Sequence, residues 1–281
     1  MKTKTYFFAL IPAALIGFAL RIFQLLDGVE PDTAFFRENE PINIVFLIWT
    51  AVATLFFLSA AFLTRPEKKP LERTMIRLHR AEKTVLLLFG VVMLAEVLFS
   101  YYDKVLSQHG LSLGDLFWNL DFLHAVFAVL SVAFLSAYIS APKQFGRSTG
   151  FKILSLSLTL HFGLKMLDLF INESMIRLSY KALDILLYAS AMLFFFSFTK
   201  ALSGLYARRG LCAFGCCTVF FAIVRTANLV VYLIQPAYTL STSVLGMISD
   251  LFLIAAVVLL MTKPLRRRKK KPEELPEDPA F

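Results

Sequence analysis

Cysteine is scarce in this sequence: three residues among 281, all between Cys212 and Cys217. A disulfide framework is thereby excluded. Charge is also thin, at 17% of residues, where a soluble domain carries about 25%. Catalytic signatures are missing. There is no His-Glu-x-x-His and no glycine-rich phosphate loop. Histidine numbers four. Two of them, His124 and His161, fall in different apolar runs, and such a pair is too little for a metal signature. We therefore expect no catalytic residue, no metal, no cofactor and no enzymatic activity. Lys165 as a Schiff-base lysine is set aside, because Asp168 three residues on makes an ion pair the simpler reading.

What the chain has in excess is apolar bulk. Hydrophobic residues make up 58% and phenylalanine alone supplies 29. That many rings exceed what one soluble core of this size can hide. A helix needs roughly 20 apolar residues to cross a bilayer. Eight stretches qualify, at about 5–26, 42–63, 84–103, 116–140, 152–171, 181–200, 211–234 and 241–262. Backbone in lipid must satisfy its own hydrogen bonds, and runs of this length do so as helices. The fold class expected is all-α, a polytopic transmembrane helical bundle of about eight spans arranged as four hairpins. Residues 1–263 form the eight-helix transmembrane domain, and 264–281 a basic and acidic cytoplasmic tail expected to be disordered. Breakers mark the linkers: Pro31, Pro41, Pro66, Pro70, Pro142, Gly146 and Pro236.

The net charge of +9 must be located before it is interpreted. With the N-terminus inside, 22 Lys and Arg fall on the cytoplasmic side and 4 on the other. The four are Arg37, Lys104, Arg177 and Lys181. This bias obeys the positive-inside rule and puts both termini in the cytoplasm of a plasma-membrane protein. The first outer loop is acidic, with Asp27, Glu30, Asp32, Glu38 and Glu40. The run Arg266–Lys271 suits anionic inner-leaflet lipid better than nucleic acid, so no nucleic-acid partner is expected. Lys2 and Lys4 before Tyr6–Leu20 also resemble a signal peptide. The span runs on through Arg21 to Leu26, so an uncleaved first helix is expected. The basic, short-looped pattern resembles small bacterial inner-membrane proteins, a likeness of composition that assigns no residue a role.

A weak repeat runs through the hairpins. The first helix of each carries Arg21, Glu96, Lys165 or Arg225, and the second opens near Asn43, Asp121, Asp184 or Asp250. The separations are 22, 25, 19 and 25 residues. Duplication would give this pattern, and so would acids gathering at positive helix starts that share one side of the membrane.

Buried charge is the most informative feature. An ionisable group inside a span costs roughly 2.5–3.5 kcal/mol on insertion scales. Five acids (Glu96, Asp121, Asp168, Asp184, Asp250) and three bases (Arg21, Lys165, Arg225) nevertheless lie there, all in the outer half. Helical spacing places His161, Lys165 and Asp168 on one stripe. It likewise pairs Arg225 with Asn228, Arg21 with Gln24, Asp121 with His124 and Asp184 with Tyr188. Arg21, Asp121 and Asp184 are also near enough to the interface to snorkel or cap. The inner halves, Ala51–Phe62, Ala125–Leu135 and Leu251–Leu260, are nearly devoid of polar groups. The candidate ligand- or ion-binding residues are Glu96, Asp121, His161, Lys165, Asp168, Asp184, Arg225, Asn228 and Asp250. They imply an outer-leaflet polar pocket that serves ligand sensing or an accessory scaffold, with the bilayer and a small solute or ion from outside as partners. A small permease or ion- or proton-coupled transporter is the alternative. It needs an inner polar route, for which the sequence offers only scattered hydroxyls such as Thr50, Ser131, Ser155 and Ser190.

Overall fold

A computed structural model describes residues 3–28, 37, 40–64, 78–103, 120–140, 148–172, 181–234 and 244–262. Among these the chain is all helix, with no strand. Eight helices are long and apolar enough to cross a membrane. They are α1 (Thr5–Asp27), α2 (Pro41–Leu63), α3 (Arg80–Tyr101), α4 (Leu120–Ser140), α5 (Thr149–Ile171), α6 (Ala182–Leu202), α7 (Arg208–Ile234) and α8 (Val244–Thr262). The expected all-α bundle of eight spans is therefore present. The loop prolines other than Pro41 and the run Arg266–Lys271 lie outside the described residues.

Helix ends follow local chemistry. α3 starts four residues before the apolar run because Glu82 turns back to accept a hydrogen bond from the His79 N–H at 2.8 Å, which satisfies a helix-start donor. Two spans carry a one-residue irregularity, α2 at Ser59 and α5 at Ser155. Each serine hydroxyl donates to a carbonyl one turn back, Phe56 or Lys152. Neighbours complete both breaks. Tyr6 and Ser59 share a hydrogen bond at 3.1 Å, and Thr199 donates to the Ser155 carbonyl. α6 ends at Gly204, whose φ of 79° is left-handed and favours glycine.

The tertiary arrangement is a ring. α3 packs on α4, α4 on α5, α5 on α6, α6 on α7, α7 on α8, and α8 back on α3. The α1–α2 hairpin lies outside this ring against α7. α7 is the hub. Its apolar window is 61% buried, against 28% for α1 and α2. Close contact to α7 needs small residues. A methyl at Gly17 would stand 2.9 Å from Val224 Cγ2, and one at Gly215 2.9 Å from Met261 Sδ. Trp49 packs inside the hairpin and donates to the Ala13 carbonyl at 3.3 Å. The outward surface of α2 is apolar, with Leu47, Leu55 and Phe62 all exposed. Such a surface is stable in lipid and would aggregate in water.

The ring's interior is filled with rings of another kind. Phe162 stacks on Phe195 at 5.3 Å, and Phe89 also stacks on Phe195, at 6.2 Å. Phe198 meets Phe134 and Tyr138 edge-on. These side chains come from α3, α4, α5 and α6, and every one is buried. They form an aromatic plug through the middle and inner part of the bundle.

Candidate functional site

Above the plug lies charge. On α5, one turn past Phe162, Lys165 places its Nζ 2.6 Å from Glu96 Oε1 of α3. The pair crosses the ring, because α4 separates α3 from α5 in packing order. On the other side Arg225 of α7 reaches both neighbours. Its Nη1 is 2.6 Å from Asp250 Oδ2 on α8, and its Nε is 2.8 Å from Asp184 Oδ1 on α6. Tyr188, one turn below Asp184, joins the two clusters. Lys165 Nζ sits 4.9 Å from its ring centre and the Arg225 guanidinium 5.3 Å. Both cations thus lie against one electron-rich ring. The same ring contacts Phe162 at 6.4 Å, so the charge layer rests directly on the plug.

Three acids and two bases make up this network, which leaves it one negative charge in excess when all are ionised. Its groups are desolvated. Arg225 is 1% exposed and Asp250 2%. Charges in such surroundings are stable only when paired and hydrogen-bonded. Yet some polar atoms among the described residues find no hydrogen-bond partner: Glu96 Oε2, both ring nitrogens of His161, and Asn228 Oδ1. His161 is fully buried, with its ring 4.7 Å from that of His124 on α4. An interior amphoteric ring with neither nitrogen satisfied is costly, and a bound polar group would relieve the cost.

The nine sequence candidates therefore separate. Glu96, Lys165, Asp184, Arg225 and Asp250 come together in one network. His161 lies one turn from Lys165 on the same stripe, and Asn228 lies buried one turn beyond Arg225. Asp121 and Asp168 are half-buried and engaged in interactions of their own. The snorkelling option for Arg21 and Asp184 is not what the structure displays. Asp184 is held inward by Arg225. Arg21 is buried over the Phe46 ring and donates to Gln24 Oε1 at 2.6 Å. Gln24 passes the chain of bonds to Asn43, which donates to the carbonyls of Gly28 and Arg37. This second cluster ties α1 to α2 and stands apart from the ring network. Tyr188 was legible only as the residue that shares a face with Asp184, and its bridging role needed the fold. Among the described residues, no three His, Cys, Asp or Glu side chains gather as metal ligands.

Fold and site together define a multi-pass membrane protein whose helix ring encloses an ion-pair layer. No protein-family profile, curated protein or solved structure matches this chain.

Proposed function

We propose that this chain is a non-enzymatic membrane protein that receives a small cation, or a solute bearing one, from the outer face and holds it at the charge layer. The observation that carries this reading is the net acidic network seated on an aromatic plug, with unpartnered acceptors at Glu96 Oε2 and Asn228 Oδ1. The cation bias of the loops supports the orientation, with the network in the outer half and both termini in the cytoplasm of a plasma membrane. Ligand entry would repartner the Glu96–Lys165 and Arg225 ion pairs. Those pairs span five of the six ring helices, so a local change of partner would be felt by the whole ring. That is what a sensor or an accessory subunit requires.

Transport is the weaker reading, because the layer rests on stacked aromatic rings among the described residues. Three hydroxyls below the layer are turned onto carbonyls of their own helices. Ser131 donates to Phe127, Ser190 to Leu187 and Ser197 to Leu193. Thermal-shift measurement on the detergent-purified protein tests the proposal against inorganic cations, amino acids, amines and nucleosides. A ligand at a hundred times its Kd adds about 2.7 kcal/mol to stability. The expected hit is cationic, and Glu96→Gln abolishes its shift. A hit that stabilises wild type and Glu96→Gln equally would remove the charge layer as the site.

A further inference from the structure

A groove opens at the opposite end of the bundle from the charge layer, where α6 ends and α7 begins. It holds about 670 Å³ and is lined by Leu193, Phe196, Lys200, Tyr206, Arg208 and Arg209, among others. Its construction follows from the turn. Gly204 takes the left-handed conformation and lets the chain reverse over Ser203–Ala207. The start of α7 is then drawn tight to α6, where a methyl at Gly210 would stand only 2.5 Å from Ser197 Oγ. Three cations are thereby brought to one rim from both sides of the turn, and no acid is among the described residues that line the groove. Arg209 is fixed in place, since its Nε donates to the Thr64 carbonyl at the end of α2 at 3.1 Å. Its terminal amino groups lie beyond that bond, and the residue is exposed.

The wall changes character with depth. Lys200 stands at the rim with its Nζ 5.9 Å from the Phe196 ring one turn below. Phe196 and Leu193 continue down α6 and are both partly exposed on the lipid side. Tyr206, 62% exposed, sits at the rim, where an amphipathic ring belongs at a membrane interface. A cationic rim above an apolar wall is the negative image of an anionic phospholipid. Phosphate oxygens would meet Lys200, Arg208 and Arg209, and an acyl chain would lie along Phe196 and Leu193.

We propose that this groove is a binding site for one anionic phospholipid of the leaflet that faces the basic loops. The shared chemistry is a phosphate monoanion or dianion against three cations, and only a lipid also uses the apolar wall. The test is native mass spectrometry of the full chain from mixed micelles containing phosphatidylglycerol or phosphatidylcholine, with inorganic phosphate as competitor. Wild type is expected to retain one phosphatidylglycerol and no phosphatidylcholine, with phosphate failing to displace it. Each of Lys200→Gln and Arg208→Gln should weaken retention roughly fivefold, and the triple variant with Arg209→Gln about a hundredfold. A Lys200→Arg variant keeps the charge and should retain the lipid, which separates charge from folding. A chain with Arg266–Lys271 replaced by glutamine should also retain it. Equal retention of the two lipids, displacement by phosphate, unchanged retention in the triple variant, or loss in the tail variant alone would each overturn the proposal.

Discussion

Arg225 is the residue on which the interior depends most. It is among the largest fully buried side chains of the described residues, and it faces two carboxylates on two different helices. Replacing it with alanine strands Asp184 and Asp250 beside each other without a counter-charge. Breaking a buried pair in this way costs about 3–5 kcal/mol. We expect Arg225→Ala to lower the detergent melting temperature sharply, and the double variant Arg225→Ala with Asp250→Asn to recover part of the loss. A double variant no more stable than the single one would show that charge imbalance is not the cause. The Glu96–Lys165 pair obeys the same logic. Lys165→Met should destabilise more than Lys165→Met combined with Glu96→Gln, because the second change removes the stranded carboxylate. Spacing alone identified these residues as inward-facing. It could not match acid to base, since partners at i and i+4 compete with partners on other helices, and only packing chooses between them.

Among the elements, α7 and α1 show how small residues set helix distance. In lipid, helices associate through close packing more than through hydrophobic drive. Gly17 is the point of closest approach, with Val224 and Phe220 against it. Gly17→Leu should cost about 1–3 kcal/mol by overpacking. Gly150→Ala is the matched control. A methyl there meets only Ser148 Oγ at 3.7 Å, so thermal stability should be unchanged or slightly raised. Equal losses in the two variants would mean that glycine content, not the α1–α7 contact, governs stability. The three cysteines belong to the same packing story. All are buried, and Cys216 lies 3.9 Å from Met261 Sδ on α8. Beside them a methyl at Gly215 would stand 2.9 Å from Met261 Sδ, so α7 and α8 pack closely here. The hairpin repeat is less simple than its spacing suggests. Arg225 and Asp250 bond within their hairpin, whereas Glu96 pairs with Lys165 across two hairpins.

For the molecule as a whole, orientation is the first thing to measure. Arg37 lies in the first outer loop of the expected topology and Ser148 at an inner helix start, and Arg37 is exposed. In intact cells Arg37→Cys should react with an impermeant maleimide, and Ser148→Cys only after permeabilisation. The buried native cysteines should contribute little background. The reverse pattern would invert the bundle and move the charge layer to the cytoplasmic face. The sequence by itself determined the class and the number of spans, and it set the expected sidedness of the cations and the expected confinement of charge to one half. Each of these depends on composition along the chain, and the cost of burying charge or backbone in lipid is local to each helix. Tertiary structure alone decided the ring order, with α8 closing onto α3 and the first hairpin left outside. It also selected the ion pairs, placed Tyr188 between two cations, and stacked the phenylalanines into a plug. Those are contacts between residues far apart in the chain, as in Glu96 with Lys165, 69 positions apart. No periodicity within a single helix encodes them, because every span offers lipid an apolar face and its neighbours another.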